Sequence, residues 1–210
     1  MSGLFRRISL IYYGSMSGRN TGQRRGAARQ RIMTAAAERF YAGGIAATGI
    51  DSITADAGVA RMSLYNNFSS KDELVEEYLS ARHEEWLGLY RRRAAEATDP
   101  VGGVLAVFDA YIDHAELGYA QGFRGCGLLN AAAELPVGSP GRAAVRSHKE
   151  QVEAILAERL RELADHDRAA ALAEHCSFLL EGAMSRAGLE GGPDRLVHAK
   201  AMAAGLVAAL

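Results

Sequence analysis

Cysteine is nearly absent. Cys126 and Cys176, far apart in 210 residues, provide neither a disulfide framework nor a metal-ligand spacing, which fits a reducing cytosol. No apolar run approaches the ~20 residues of a membrane span, so no membrane partner is expected. Only four prolines interrupt the chain, and no stretch keeps the strict alternation of a strand. Enzyme signatures are missing as well. There is no Glu-x-x-His for a carboxylate-bridged di-metal bundle, no Cys-x-x-Cys, no Gly-rich phosphate loop and no Ser/His/Asp context. The expectation is an all-α protein that is not an enzyme and has no cofactor and no metal. At 49% hydrophobic content it has enough apolar residues for one small unit plus a helical domain with its own core.

The informative stretch runs from Thr48 to Glu73. Thr48-Gly49-Ile50-Asp51 has the form of a capping box, opening a short helix with Ile50, Ile53 and Ala57 on its apolar face. Gly58 stops that helix, since the residue past a helix end often needs a positive φ. Arg61 to Asn67 reads as a second short helix with Leu64 inward and Phe68 beneath it. Ser70 to Glu73 is another capping box, launching a long third helix. Two short helices about a glycine turn, with polar positions on the second, make a helix-turn-helix. With Leu64 and Phe68 inward, Arg61, Met62, Ser63, Tyr65 and Asn66 point outward. Arginine can pair with guanine, asparagine with adenine, and a methionine side chain can meet a thymine methyl.

Net charge is −1, but it divides unevenly. Residues 1–70 hold nine Lys/Arg against three acids, or +6, and residues 71–210 hold fifteen against twenty-two, or −7. A basic head on an acidic body is what phosphate binding through one end predicts.

The string Phe40-Tyr41-x-x-Gly44, Thr48, Ile53-x-x-x-Ala57-Gly58-Val59 and Leu64-Tyr65-x-x-Phe68-x-Ser70-Lys71-Asp72-Glu73-Leu74 resembles the N-terminal signature of the tetracycline-repressor (TetR) family of bacterial regulators. The resemblance covers roughly residues 26 to 78. It implies that Thr48, Tyr65 and Lys71 contact phosphates of a double-stranded operator, that the chain is a homodimer, and that a small-molecule effector enters a pocket in the body. It also implies a cytoplasmic protein, more safely a repressor than an activator. Two positions depart from the pattern: Ala60 stands where the family often has a capping Ser or Thr, and Asn67 where it usually has His or an aromatic residue.

Three regions follow. Residues 1–25 read as a disordered basic arm in which Met16 is a possible start, and Arg19, Arg24 and Arg25 could reach a minor groove. Residues 26–70 are the helix-turn-helix domain, entered by a helix from about Gly26 to Ala42 with Ile32, Ala36 and Phe40 as its stripe. Residues 71–210 are a helical ligand-binding and dimerisation domain, beginning with a helix from Lys71 to about Ala97 and continuing with about five more.

Trp86, Tyr90, Phe108, Tyr111, Phe123 and Phe178 are the aromatic candidates for the implied pocket, with Asn130 and His175 as polar ones; His114 and Glu134 are further polar possibilities. An aromatic stripe at helical spacing is also what an ordinary core looks like. Leu172, Cys176, Leu179 and Ala183, then Leu196, Ala203 and Leu206, recur at spacings suited to close helix pairing across a two-fold axis. The same stripes could instead close the protomer's own core. A thiol-based sensor using Cys126 and Cys176 is the alternative from a second class, and a helical enzyme the third.

Overall fold

The computed structural model describes residues 20–210, with side chains from residue 26 onward. Among the described residues there are nine helices and no strand: α1 (Asn20–Gly43), α2 (Ile50–Ala57), α3 (Arg61–Tyr65), α4 (Lys71–Glu96), α5 (Pro100–Glu116), α6 (Gly127–Glu134), α7 (Pro140–Leu160), α8 (His166–Glu190) and α9 (Asp194–Val207). None of them is long and apolar enough to cross a membrane. Helix α1 begins six residues earlier than expected, and the rest of the expected arm, residues 1–19, lies outside the described residues.

The chain forms two compact units. The first holds residues up to Arg82 together with 118–121 and 127–143, so it contains α1 to α3, the start of α4, and α6. Its centre is the stripe Ile32, Ala36 and Phe40 of α1, met by Ile53 of α2, Leu64 of α3 and Phe68, all nearly or fully buried. Each such side chain contributes at most about 1.5–3 kcal/mol on burial. The Phe40 and Tyr78 rings meet edge to face at 5.5 Å. Arg29 adds a polar tie: it lies 4.2 Å over the Phe68 ring, donates to the Asn67 carbonyl at 2.8 Å and pairs with Glu77 at 2.7 Å.

The second unit holds the remainder of α4, then α5, most of α7, α8 and α9. Asp99 caps α5 by accepting from the Gly102 N–H at 2.7 Å, and Pro100 takes the first turn, where its missing N–H has no partner to lose. Asp165 caps α8 in the same manner. Val104, Val107, Phe108 and Tyr111 of α5 are buried with Leu172, Cys176, Leu180 and Met184 of α8 and with Leu196, Ala199 and Ala203 of α9. Lys200 closes α9 onto α5 by pairing with Asp109 at 2.6 Å.

The stripe expected to meet a second copy is therefore largely internal. Leu172, Cys176, Leu196 and Ala203 face the protomer's own core, and Leu179 and Ala183 are half-buried. A three-four spacing marks a buried face without saying what buries it, and here most of these positions are buried within the protomer. The exposed apolar side chains of the pair are Phe178, Leu189, Val197, Met202 and Leu206.

Candidate nucleic-acid interface

Helix α2 ends where the sequence says it must. Gly58 adopts φ 60°, ψ 43°, and its N–H and that of Val59 return to the Ala55 and Thr54 carbonyls at 3.2 and 3.1 Å. The chain then enters α3, a helix of five residues that could not persist on its own propensity. Leu64, fully buried, fixes it to the unit's core. Ala60 precedes α3 without a side-chain cap. At the other end the Asn67 Nδ2 donates to the Ser63 carbonyl at 2.7 Å, satisfying a carbonyl of the last turn.

With Leu64 inward, α3 presents Arg61, Met62 and Tyr65 to solvent, as the sequence predicts; Asn66, just past its end, is exposed as well, and Ser63 is half-exposed. Met62 is 69% exposed and Tyr65 42%, high values for apolar and aromatic side chains on a short, well-anchored helix. Arg61 pairs with Asp51 of α2 at 2.9 Å, and its guanidinium stands 5.9 Å from the Tyr65 ring centre. Asp51 thus orients Arg61 across the turn. Reasoning from the sequence missed that partnership because it treated Asp51 only as a capping residue.

The first capping box is not formed. Gly49, not Thr48, is the residue before α2, and no side chain caps that end. Thr48 is buried; its hydroxyl donates to the Gly44 carbonyl at 2.6 Å and its N–H to Ile45. The tight turn after α1 competes for the threonine and wins. The first-turn amides of α2 are left without a side-chain cap. Lys71 is half-buried, with its ammonium on the Ile45 carbonyl at 2.6 Å, so one of its three donors is occupied. The second box is present in altered form: Ser70 accepts from the Glu73 N–H at 3.1 Å, while the Glu73 carboxylate takes the Ser69 hydroxyl and N–H.

In the second unit the aromatic candidates divide. Trp86, Tyr90, Phe108, Tyr111 and Phe123 are buried. Trp86 lies parallel to Tyr90 at 5.7 Å, tilts against Tyr111 at 5.4 Å, and meets the edge of His148 at 5.5 Å. The Trp86 indole N–H is buried without an acceptor. Beside it Lys149 pairs with Glu181 at 2.7 Å and reaches the Tyr111 hydroxyl at 3.5 Å and the Cys126 sulfur at 3.7 Å. Burial, opposed by the Lys149 charge, pushes the Tyr111 phenol well above its ordinary range. Burial also acts to lower the Lys149 pKa, but Cys126, Tyr111 and Glu181 outweigh it and hold the ammonium charged. No sequence signal brings Lys149 to Tyr111 and Glu181, since the three lie on three different helices.

Asn130, His175 and Phe178 do not join this cluster. Asn130 is exposed on α6 in the first unit, while His175 and Phe178 line an open groove with Leu179, Met202, Gly205 and Leu206 on α8 and α9. A second cleft, of about 340 Å³, opens in the first unit beside the Arg39–Asp56 pair. Neither is lined by Trp86, Tyr90, Phe108, Tyr111 or Phe123. His114 is buried against Phe123. Of the cysteines, Cys176 is fully buried and its thiol is pushed up to about 11 by desolvation, which disfavours the thiolate; Cys126 has the lysine neighbour.

A short exposed helix anchored by one leucine behind a glycine turn, on a three-helix head, defines a helix-turn-helix DNA-binding regulator. Comparison with known proteins agrees. Residues 32–78 match the model described as bacterial regulatory proteins, tetR family. The crystal structure of a TetR-family transcriptional regulator from Streptomyces coelicolor (SCO4454) superposes with a TM-score of 0.78 at 32% identity, covering 86% of this chain and 94% of that one. Regulatory protein TetR from Rhodobacter sphaeroides gives 0.70 at 29% identity, over 84% and 97%. Among curated proteins, the HTH-type transcriptional repressor KstR2 of Mycolicibacterium smegmatis is 32% identical over 93 residues, 44% of this chain and 45% of that protein. The HTH-type transcriptional regulator TtgR of Pseudomonas putida is 39% identical over 75 residues, 35% and 36% of the two chains. The match thus spans less than half the length of these curated relatives. The chain belongs to the TetR family of transcriptional regulators, which are DNA-binding proteins and not enzymes.

Proposed function

We propose that the protein is a homodimeric repressor that places two copies of α3 in successive major grooves of a palindromic operator and is released by a small, largely apolar or aromatic effector. The observation that carries the reading is the outward set on α3: Arg61 held by Asp51, with Met62, Tyr65 and Asn66 exposed beside it. Arg61 and Asn66 would read base edges and Met62 a thymine methyl, while Tyr65, a free donor of Lys71 and the first-turn amides of α2 would hold phosphates. The expected phosphate contact of Thr48 passes to its neighbours, because its own hydroxyl is occupied.

The second copy would pack on the exposed face of α8 and α9 around Phe178, Met202 and Leu206, with Leu179 and Ala183 at its edge. Exposed apolar side chains in one patch favour a partner there. The effector would enter the second unit near Trp86, Tyr90, Phe108, Tyr111 and Phe123. The unpartnered indole N–H of Trp86 favours a ligand that brings an acceptor to an otherwise apolar ring system. Helix α4 is continuous from one unit into the other, so a ligand that prefers one position of α4 shifts the population of operator-competent heads. A regulator of this kind would work on the chromosome, in the cytoplasm.

The test is titration of the wild type and Tyr65→Ala against a duplex selected from a random pool, at several salt concentrations. A steep, linear fall of log K with log salt for the wild type, and lost affinity with intact helix content for Tyr65→Ala, are expected. A flat salt dependence, or equal affinity of the two proteins, would refute it.

A further inference from the structure

Helix α6 ends on a carboxylate, and that is unusual. The last turn of a helix carries partial negative charge, so Glu134 at the final position of α6 sits where an acid is disfavoured. Its carboxylate is instead directed to the turn between α1 and α2. One oxygen accepts the Ile45 N–H at 3.1 Å and the other accepts the Ala46 N–H at 2.7 Å. The fit is close: a Cβ on Gly44, which already adopts φ +91°, would stand 2.5 Å from the Glu134 Oε1. The carbonyls of the same turn are held from the other side, Gly44 by the Thr48 hydroxyl and Ile45 by the Lys71 ammonium. Two residues beyond Thr48, α2 begins, with no cap of its own to fix where it starts.

Helix α6 is itself secured to the first unit. A Cβ on Gly127, at its beginning, would lie 2.9 Å from the Tyr78 hydroxyl, and near its end Arg142 donates to the Ala132 carbonyl at 3.2 Å. The clamp therefore joins α6 to the turn that connects α1 to the helix-turn-helix. We infer that Glu134 is a positioning residue for operator binding: its carboxylate holds the amides of the Gly44–Thr48 turn and so sets where α2, and α3 behind it, stand against DNA. This rests on the chain binding an operator, the reading given above.

The experiment uses the full chain and the duplex selected from a random pool, with a random-sequence duplex as control. Glu134→Gln keeps the side chain's size but replaces one acceptor by an amide that cannot accept. Glu134→Ala removes both. Operator affinity should fall roughly five- to tenfold in Glu134→Gln and further in Glu134→Ala, the scale of losing charge-assisted bonds to an exposed group. Binding to the random duplex and its salt slope should not change. Amide hydrogen exchange should quicken at Ile45 and Ala46 and not in the core of α1, a readout that a general loss of stability would not single out. Gly44→Ala, which pushes the carboxylate away, should lose operator affinity on the same scale.

Operator affinity within twofold of the wild type in both Glu134 variants overturns the role. So does an equal fall on operator and random duplex. Loss of helical content in Glu134→Gln also counts against it, because a clamp on a preformed turn should not be needed for folding. If the wild type does not prefer the selected duplex, the operator reading itself falls and this one with it; if the wild type does and the variants match it, only the role of Glu134 is lost.

Discussion

Lowering the pH should destabilise this protein through one histidine, and the structure sets the size of the effect. His148 is buried, with its Nδ1 2.9 Å from the Nδ1 of His83 and its ring against Trp86. Desolvation first, then the charges of Lys149 and His83, push its pKa down to about 3 from an ordinary 6.5. A histidine whose folded pKa lies below its unfolded value stays neutral in the native state while the unfolded chain takes up the proton. Its contribution is therefore intact above pH 6.5 and is lost as pH falls from there towards 3. At pH 5 the unfolded state is favoured by about one and a half pH units of proton binding, or about 2 kcal/mol. For a chain of this size that lowers Tm by roughly 4–8 °C. Carboxylates add their own acid lability, so the comparison is with His148→Gln, which keeps a neutral polar group facing His83. Denaturant unfolding of both proteins from pH 7.5 to 5 should show the wild type losing about 2 kcal/mol more than the variant. Parallel pH curves would refute the argument, because a solvated, freely titrating His148 would leave no difference.

Two further outcomes follow from the packing. Phe178→Glu places a charge on the exposed patch of α8, and in a two-fold dimer the charge enters twice, so sedimentation should find monomers at concentrations where the wild type is dimeric; an unchanged dimer would move the interface elsewhere. Leu64→Ala empties the one site that anchors α3, at a cost of about 2–5 kcal/mol, and operator affinity should be lost while the dimer persists; retained affinity would mean that α3 does not depend on that anchor.

Much of the head was legible in the sequence because its constraints are local. A glycine that must take positive φ, a leucine followed four residues later by a phenylalanine, and a serine three residues before a glutamate all act within one or two turns of chain. Those features put α2, α3 and the start of α4 within a residue or two of their observed places. The errors arose where a residue had a second suitor. Thr48 reads as a cap for α2, but α2 starts one residue later, after Gly49, and the Thr48 hydroxyl goes to the Gly44 carbonyl. Along α8 and α9 the period identifies the apolar face correctly, yet it cannot say that Leu172 and Cys176 are buried within the protomer while Phe178 is left to solvent. His175 and Phe178 read as pocket residues because aromatic and imidazole side chains suit a ligand; they line an exposed groove on α8 and α9, apart from the buried aromatic cluster of Trp86 and Tyr111. Contacts between remote positions were invisible in principle: Glu134 with Ile45 and Lys149 with Tyr111 depend on the finished fold.

The account's central claim is that two copies of α3 read one duplex together. Selection of bound DNA from a random pool, by the unmodified protein, tests it most directly. The predicted result is an inverted repeat whose half-sites lie about one helical turn apart or slightly more, ~34–36 Å in a duplex, with base preferences confined to a few positions in each half. Selected sequences with no repeat, or a single half-site bound as tightly as the pair, would contradict it.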